Sequence, residues 1–196
     1  MKKLIFATGN NGKLEEVKNI FEGTGYEIVS MYEYGDIPEI EEDGDTFEAN
    51  SFKKAKYIYD RFGLPTIADD SGLAIDQLDG RPGVYSARYA GEDCTYDDNN
   101  NKILKELSRL PGPHLAKFVS FAIYYDGQSK HSAVGELPGK IIEEKRGSFG
   151  FGYDPVFVPE GYDKTLAELT LEEKNNMSHR AAAFNKLKEI LIKTGV

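Results

Sequence analysis

Lys2-Lys3-Leu4-Ile5-Phe6-Ala7-Thr8-Gly9-Asn10-Asn11-Gly12-Lys13 decides the class of fold. Its first six residues, two lysines and then the apolar Leu4-Ile5-Phe6-Ala7, read as a short buried strand. Thr8 to Lys13 interrupts the run with two glycines and two asparagines. Leu14, Val17, Ile20 and Phe21 then recur at helical spacing up to Gly23, and Tyr26 to Met31 reads as a second strand. Strand, glycine loop, helix, strand is the opening of an α/β unit.

The rest of the chain continues in that style. Asp36 to Glu48 holds seven acids and no base, broken by Pro38 and Gly44, and reads as a loop. Asp45-Thr46-Phe47-Glu48 resembles a capping box opening a helix that runs to about Phe62. A strand from Thr66 to Ala68 leads into Asp69-Asp70-Ser71-Gly72, and Leu73 to Ile75 is its possible continuation. Gly80 to Gly91 reads as an irregular loop, and Thr95 or Asp97 caps a helix from about Asp98 to Leu110. Leu115 to Tyr125 and Lys130 to Leu137 flank the hairpin signal Asp126-Gly127. A glycine-aromatic loop, Gly147 to Asp154, precedes a short strand from Pro155 to Val158, and a last helix starts at Ser178. The expected architecture is one compact α/β domain over residues 1–196, with a hairpin-bearing second lobe.

Composition narrows the functions. With 196 residues, 40% of them hydrophobic, the chain is long enough for one domain or two small lobes sharing a core. No apolar stretch approaches the roughly 18 residues of a membrane span. The basic start is followed by only four apolar residues, so no signal peptide is expected, and the single Cys94 suits a reducing compartment. The expectation is a soluble cytoplasmic protein with no membrane partner. Lys plus Arg number 24 against 33 Asp plus Glu, a net charge of −9 that disfavours nucleic acid. If such a chain binds a polyphosphate, it needs a few local cations and a bound metal.

Five stretches have side chains suited to chemistry. Thr8-Gly9-Asn10-Asn11-Gly12-Lys13 sits between a strand and a helix, where backbone N–H groups and the helix dipole favour an anion. It lacks Walker A spacing, and an ordinary turn entering a helix explains it equally well. The acidic loop, especially Glu39, Glu41, Glu42 and Asp43, offers hard oxygen ligands but also reads as solvated surface. Asp69-Asp70-Ser71-Gly72 places two carboxylates where α/β proteins put ligands, although Asp, Ser and Gly also end strands. Successive strand residues face opposite ways, so the two acids should do different jobs. Phe149, Phe151 and Tyr153, interleaved with glycines, suit stacking on a base or packing in a core. Near Lys174, Ser178 makes a good N-cap, a role that needs no ligand, and His179 and Arg180 put positive charge in the first turn, which the helix dipole opposes and a bound anion would favour. His114 and His131 lack metal-ligand spacing, and no Gly-x-Ser-x-Gly elbow occurs.

Taken in order, these motifs resemble the inosine triphosphate pyrophosphatase family, the Ham1-like non-standard purine NTP pyrophosphatases. The resemblance rests on Thr8-Gly9-Asn10 to Lys13, Glu41-Glu42-Asp43-Gly44 with Thr46-Phe47, Asn50 and Lys54-Ala55, and Ala68-Asp69-Asp70-Ser71-Gly72-Leu73. It continues through Pro82-Gly83-Val84-Tyr85-Ser86-Ala87-Arg88, Phe151-Gly152-Tyr153-Asp154-Pro155 and Ser178-His179-Arg180.

The resemblance implies a long twisted mixed β-sheet with flanking helices, forming two lobes around a central cleft, and a homodimer as the usual assembly. It implies Mg²⁺-dependent hydrolysis of ITP, dITP and XTP to the monophosphate and pyrophosphate. Carried over, Thr8, Gly9, Asn10, Asn11, Gly12 and Lys13 would grip the triphosphate, with Lys54 adding charge. Asp70 would hold Mg²⁺ and accept a proton from the attacking water, with Glu41 as the second metal ligand. Ser71 would touch the nucleotide, while Phe151, Gly152, Tyr153, Asp154, Lys174, His179 and Arg180 would surround the base. A pyrophosphatase for modified pyrimidine or methylated bases, and a nucleotide sensor without turnover, are the rival readings.

Overall fold

The computed structural model describes residues 1–196, apart from the side chains of Leu171, Asn175 and Asn176. Its strands are β1 (Lys2–Phe6), β2 (Tyr26–Ser30), β3 (Thr66–Ile75), β4 (His114–Tyr125), β5 (Lys130–Ile141) and β6 (Phe157–Pro159). The helices are α1 (Asn11–Phe21), α2 (Phe47–Phe62), α3 (Tyr96–Leu107), α4 (Leu171–Asn176) and α5 (His179–Thr194). The strands form one six-stranded sheet in the order β2-β1-β3-β4-β5-β6. Pairing of β1 with β2 and with β3 is parallel, whereas β5 and β6 pair antiparallel, so the sheet is mixed.

The chain divides into two compact units, and the first comprises residues 1–70, 120–135 and 180–196. Here β1 is buried on both faces, as its continuous apolar run requires. Leu4 and Phe6 join Val17 and Phe21 of α1 and Phe184, Leu187 and Leu191 of α5 in one cluster. Ile5 and Ala7, pointing the other way, join Ala55 and Ile58 of α2 in another. Phe6 meets Phe184 edge to face, ring centroids 5.3 Å apart. The second unit, residues 71–119 and 136–179, has its own core of Leu73, Ile75, Ile103, Leu107, Tyr153, Val156 and Phe157. The boundary between units falls inside β3, between Asp70 and Ser71.

Several expected boundaries move. Asp69-Asp70-Ser71-Gly72 lies within one ten-residue strand instead of ending a shorter one. The cap of α2 is Thr46, whose hydroxyl accepts the Ala49 N–H at 3.1 Å, one residue later than the capping-box pattern suggests. The helix after Gly91 starts at Tyr96 because Thr95 and Asp98 form a reciprocal box there. Gly83–Arg88, within the expected irregular loop, is a 3-10 turn. The returning hairpin strand runs on to Ile141, where Gly139 to Ile141 pair with β6.

Candidate active site

In the first unit, the Thr8 to Lys13 segment links β1 to α1. Thr8 Oγ1 accepts the Asn10 N–H at 3.2 Å, and Asn10 Oδ1 accepts the Lys13 N–H at 3.1 Å as the N-cap of α1. Both side chains therefore shape the turn whatever else they do. Lys13 Nζ reaches Asp69, 3.0 Å from Oδ2 and 3.2 Å from Oδ1. Arg180, at the start of α5, places Nε 3.1 Å from the same Oδ2 and Nη1 3.0 Å from Glu16 Oε2. Arg180, expected beside the base, is thus tied to the partner of Lys13. Asp69 is 1% exposed, and burial alone would raise its pKa. The Lys13, Arg180 and Lys54 charges outweigh burial and hold the carboxyl well below the usual range. Burial likewise lowers the Lys13 ammonium from its ordinary value, against the pull of Asp69.

Asp70 has a different set of partners. Its Oδ2 accepts Asn50 Nδ2 at 2.9 Å, and Asn50 Oδ1 accepts the Gly44 N–H at 2.8 Å, so one buried amide ties the catalytic candidate to the acidic loop. Lys54, one turn beyond Asn50 on α2, pairs with Glu42 at 2.9 Å. Burial pushes the Asp70 carboxyl up to about 6; the Lys54 charge opposes this, Glu42 adds to it, and the Asn50 hydrogen bond opposes it again. A carboxylate near 6 is poised to accept a proton near neutral pH.

The loop acid that reaches Asp70 electrostatically is Glu42, whereas Glu41, singled out from sequence, is exposed. Asn50 and Glu16 were absent from the expected site. For Asn50 a signal existed, since it lies four residues before Lys54 and so shares a helix face with it.

In the second unit, the loop from Gly147 to Pro155 is held at many points. Asp154 is buried, and its Oδ2 accepts the Phe151 N–H at 3.1 Å and Lys174 Nζ at 2.5 Å. Tyr153 was expected near a base, but its ring is 3% exposed in the core and its hydroxyl donates to Ser86 O at 2.8 Å. The rings open to solvent are Phe149, 71% exposed, and Phe151, 62% exposed. Both rings are therefore open to stacking on a planar ligand. His179 stacks on Phe118, centroids 5.2 Å apart at 18°. Ser86 Oγ accepts the Leu73 N–H at 2.9 Å, two residues after Ser71 on β3.

The first-unit cluster suits a hard cation. Lys13, Lys54 and Arg180 stand against Glu16, Glu42, Asp69 and Asp70, three positive groups against four acids, before any anionic ligand arrives. Asp70 and Glu42 offer oxygen donors whose mutual repulsion a dication would relieve. No group of three or more His, Cys, Asp or Glu forms a ready cage among the described residues. That donor set fits Mg²⁺, which takes one or two carboxylates and completes its shell with water and substrate phosphate.

A protein-family model for the Ham1 family matches residues 4–190. The chain belongs to the Ham1 family. It is 47% identical over 192 residues to a protein of Porphyromonas gingivalis named dITP/XTP pyrophosphatase, covering 98% of each chain. A Bacillus subtilis protein of the same name is 48% identical, with 97% of this chain and 98% of that one aligned. Among solved structures, a HAM1 protein from Coxiella burnetii superposes with a TM-score of 0.93 at 34% identity, covering 98% of this chain and all of that one. The sequence motifs of this Ham1 chain and its mixed sheet with flanking helices therefore agree on one family.

Proposed function

We propose that this Ham1 chain, as a single domain, hydrolyses non-standard purine nucleoside triphosphates such as ITP, dITP and XTP, releasing pyrophosphate and leaving the monophosphate. The observation that carries the reading is near-full-length identity to proteins named dITP/XTP pyrophosphatase, together with a buried carboxylate at Asp70 raised to about 6 beside lysines. Asp70 accepts the proton of the attacking water, and Asn50 fixes which oxygen faces it. Lys13 and Lys54 bring positive charge to the triphosphate, and backbone N–H groups of Gly9 to Gly12, at the start of α1, add donors. Bound Mg²⁺, held by Asp70 with Glu41 of the acidic loop, would supply charge stabilisation to the phosphates.

The base is the business of Phe149, Phe151, Asp154, Lys174 and His179, with Ser71 touching the nucleotide. A cationic donor such as Lys174 favours a 6-keto oxygen, while adenine presents a donor there and leaves the site's own donors unpaired. The protein works as a homodimer on the cytoplasmic nucleotide pool. Among the described residues no helix is long and apolar enough to cross a membrane.

The test is pyrophosphate release from dITP, XTP, dGTP and dTTP with and without Mg²⁺. Preferential cleavage of dITP and XTP, dependent on the metal, is expected. Preference for dTTP, or release of orthophosphate in place of pyrophosphate, overturns the reading. Light scattering at twice the monomer mass checks the dimer.

A further inference from the structure

Asn100 on α3 stands in a stripe that should be apolar. Ile103 and Leu107, three and seven residues on, are both core residues, and Asn100 itself is 2% exposed. Its Nδ2 donates to Gly152 O at 2.8 Å and to Tyr96 O at 2.8 Å. Its Oδ1 is buried with no hydrogen-bond partner. The preceding residue is a useful contrast. Asn99 is as deeply buried, but its Oδ1 accepts the Ala90 N–H at 2.7 Å and its Nδ2 donates to Ala87 O at 3.1 Å, so it simply braces its own loop. An apolar residue at position 100 would carry no orphaned side-chain carbonyl, whereas the asparagine carries one that is a burden on stability.

An asparagine retained at that cost is explained by what its donor holds. Gly152 has φ +62°, a backbone conformation with little side-chain restraint, and it lies between Phe151 and the buried Tyr153. Tyr153 is anchored to Ser86, and Asp154 to Phe151 and Lys174. Asn100 anchors the carbonyl of the glycine between them. Without that donor the peptide following Gly152 is free to turn, and the exposed Phe151 ring and the Asp154–Lys174 pair turn with it.

We propose that Asn100 is a positioning residue for base recognition, holding the Gly152 carbonyl so that Phe151 and Lys174 present a fixed surface to the purine. This rests on the assignment of that loop to the base. The decisive variant is Asn100→Leu. In the folded variant KM for dITP should rise five-fold or more, while kcat stays within two-fold and the preference for dITP over dGTP falls at least five-fold. If Asn100→Leu does not fold, Asn100→Asp, which keeps the shape and loses the donors, carries the same kinetic test. KM and preference within two-fold of wild type overturn the proposal. So does a lower melting midpoint with kcat and KM changing alike for both nucleotides, the mark of a structural role only. A wild-type chain that binds inosine triphosphate without cutting it would instead overturn the hydrolase reading. The dissociation constant for that nucleotide then replaces KM, and an unchanged value in Asn100→Leu sinks the role of Asn100.

Discussion

Asp69 and Asp70 are consecutive on β3, yet their surroundings push them in opposite directions. Lys13 and Arg180 clamp Asp69 as a permanent anion, whereas burial lifts Asp70 to about 6. The alternation of a strand lets one element hold both a clamped anion and a carboxyl that takes up a proton near pH 6.

Asp70→Asn should lose pyrophosphate release by several orders of magnitude and yet gain stability in metal-free buffer. A folded value near 6 against an ordinary 3.8 means that the native state binds the proton more tightly than the unfolded chain does. Native stability therefore falls as pH rises from about 4 to about 6, and the full loss, up to about 3 kcal/mol, persists above that range. Asparagine removes it. Thermal melts of both proteins at pH 4 and pH 8, with chelator present, should show the gain at pH 8 and almost none at pH 4.

Asp69→Asn should behave in the contrary way. It strips the counter-ion from Lys13 and Arg180 together, and removing one member of a buried ion cluster costs roughly 3–5 kcal/mol. The Asp69 carboxyl is depressed in the fold, so its contribution is present above about 4 and fades as pH falls below that value. Urea denaturation at neutral pH reads the loss directly, and a midpoint equal to wild type contradicts the ion-cluster assignment.

Gly44→Ala tests the link between the acidic loop and Asp70. An added Cβ would sit 2.7 Å from Asn50 Oδ1 and 2.9 Å from the Ala49 Cβ, so Asn50 has to move off Asp70. We expect kcat to fall by about ten-fold or more, in keeping with a disturbed proton acceptor. Stopped assays across a dITP titration separate this from a change in KM alone.

Gly150→Ala tests the base loop. Gly150 has φ +90°, and a Cβ there would collide with Asp154 Oδ2 and Lys174 Nζ. Strain of about 1–3 kcal/mol and a broken Asp154–Lys174 pair are expected. The kinetic signature is a raised KM for dITP with tripolyphosphate inhibition left as in the wild type.

Much of this was legible in the chain. The opening strand, glycine loop and helix followed from one apolar run and one helical period, and the hairpin from Asp126-Gly127. The interior of β3 was not, because two aspartates, a serine and a glycine look like the end of a strand. What keeps Asp69 buried lies 56 and 111 residues away, at Lys13 and Arg180, and no local pattern carries that information. The extension of β5 past Pro138 depends in the same way on its pairing with β6. Among the aromatics of the glycine loop, alternation suggested that some rings pack and some face outward. Only the Ser86 carbonyl waiting for its hydroxyl fixes Tyr153 as the buried one.

Phe184, Leu187 and Leu191 share a core with Leu4 and Phe6, residues that a ribosome makes long before them. Until α5 is made, Val17 and Phe21 of α1 cover the Leu4 and Phe6 face of β1 without their other helical neighbour, and the emerging polypeptide carries that half-covered strand meanwhile. A nonsense mutation that removes residues 180–196 therefore strands an apolar surface on β1 and takes away the Arg180 clamp with it. The predicted fate of such a truncated product is aggregation or degradation, not a weakened enzyme.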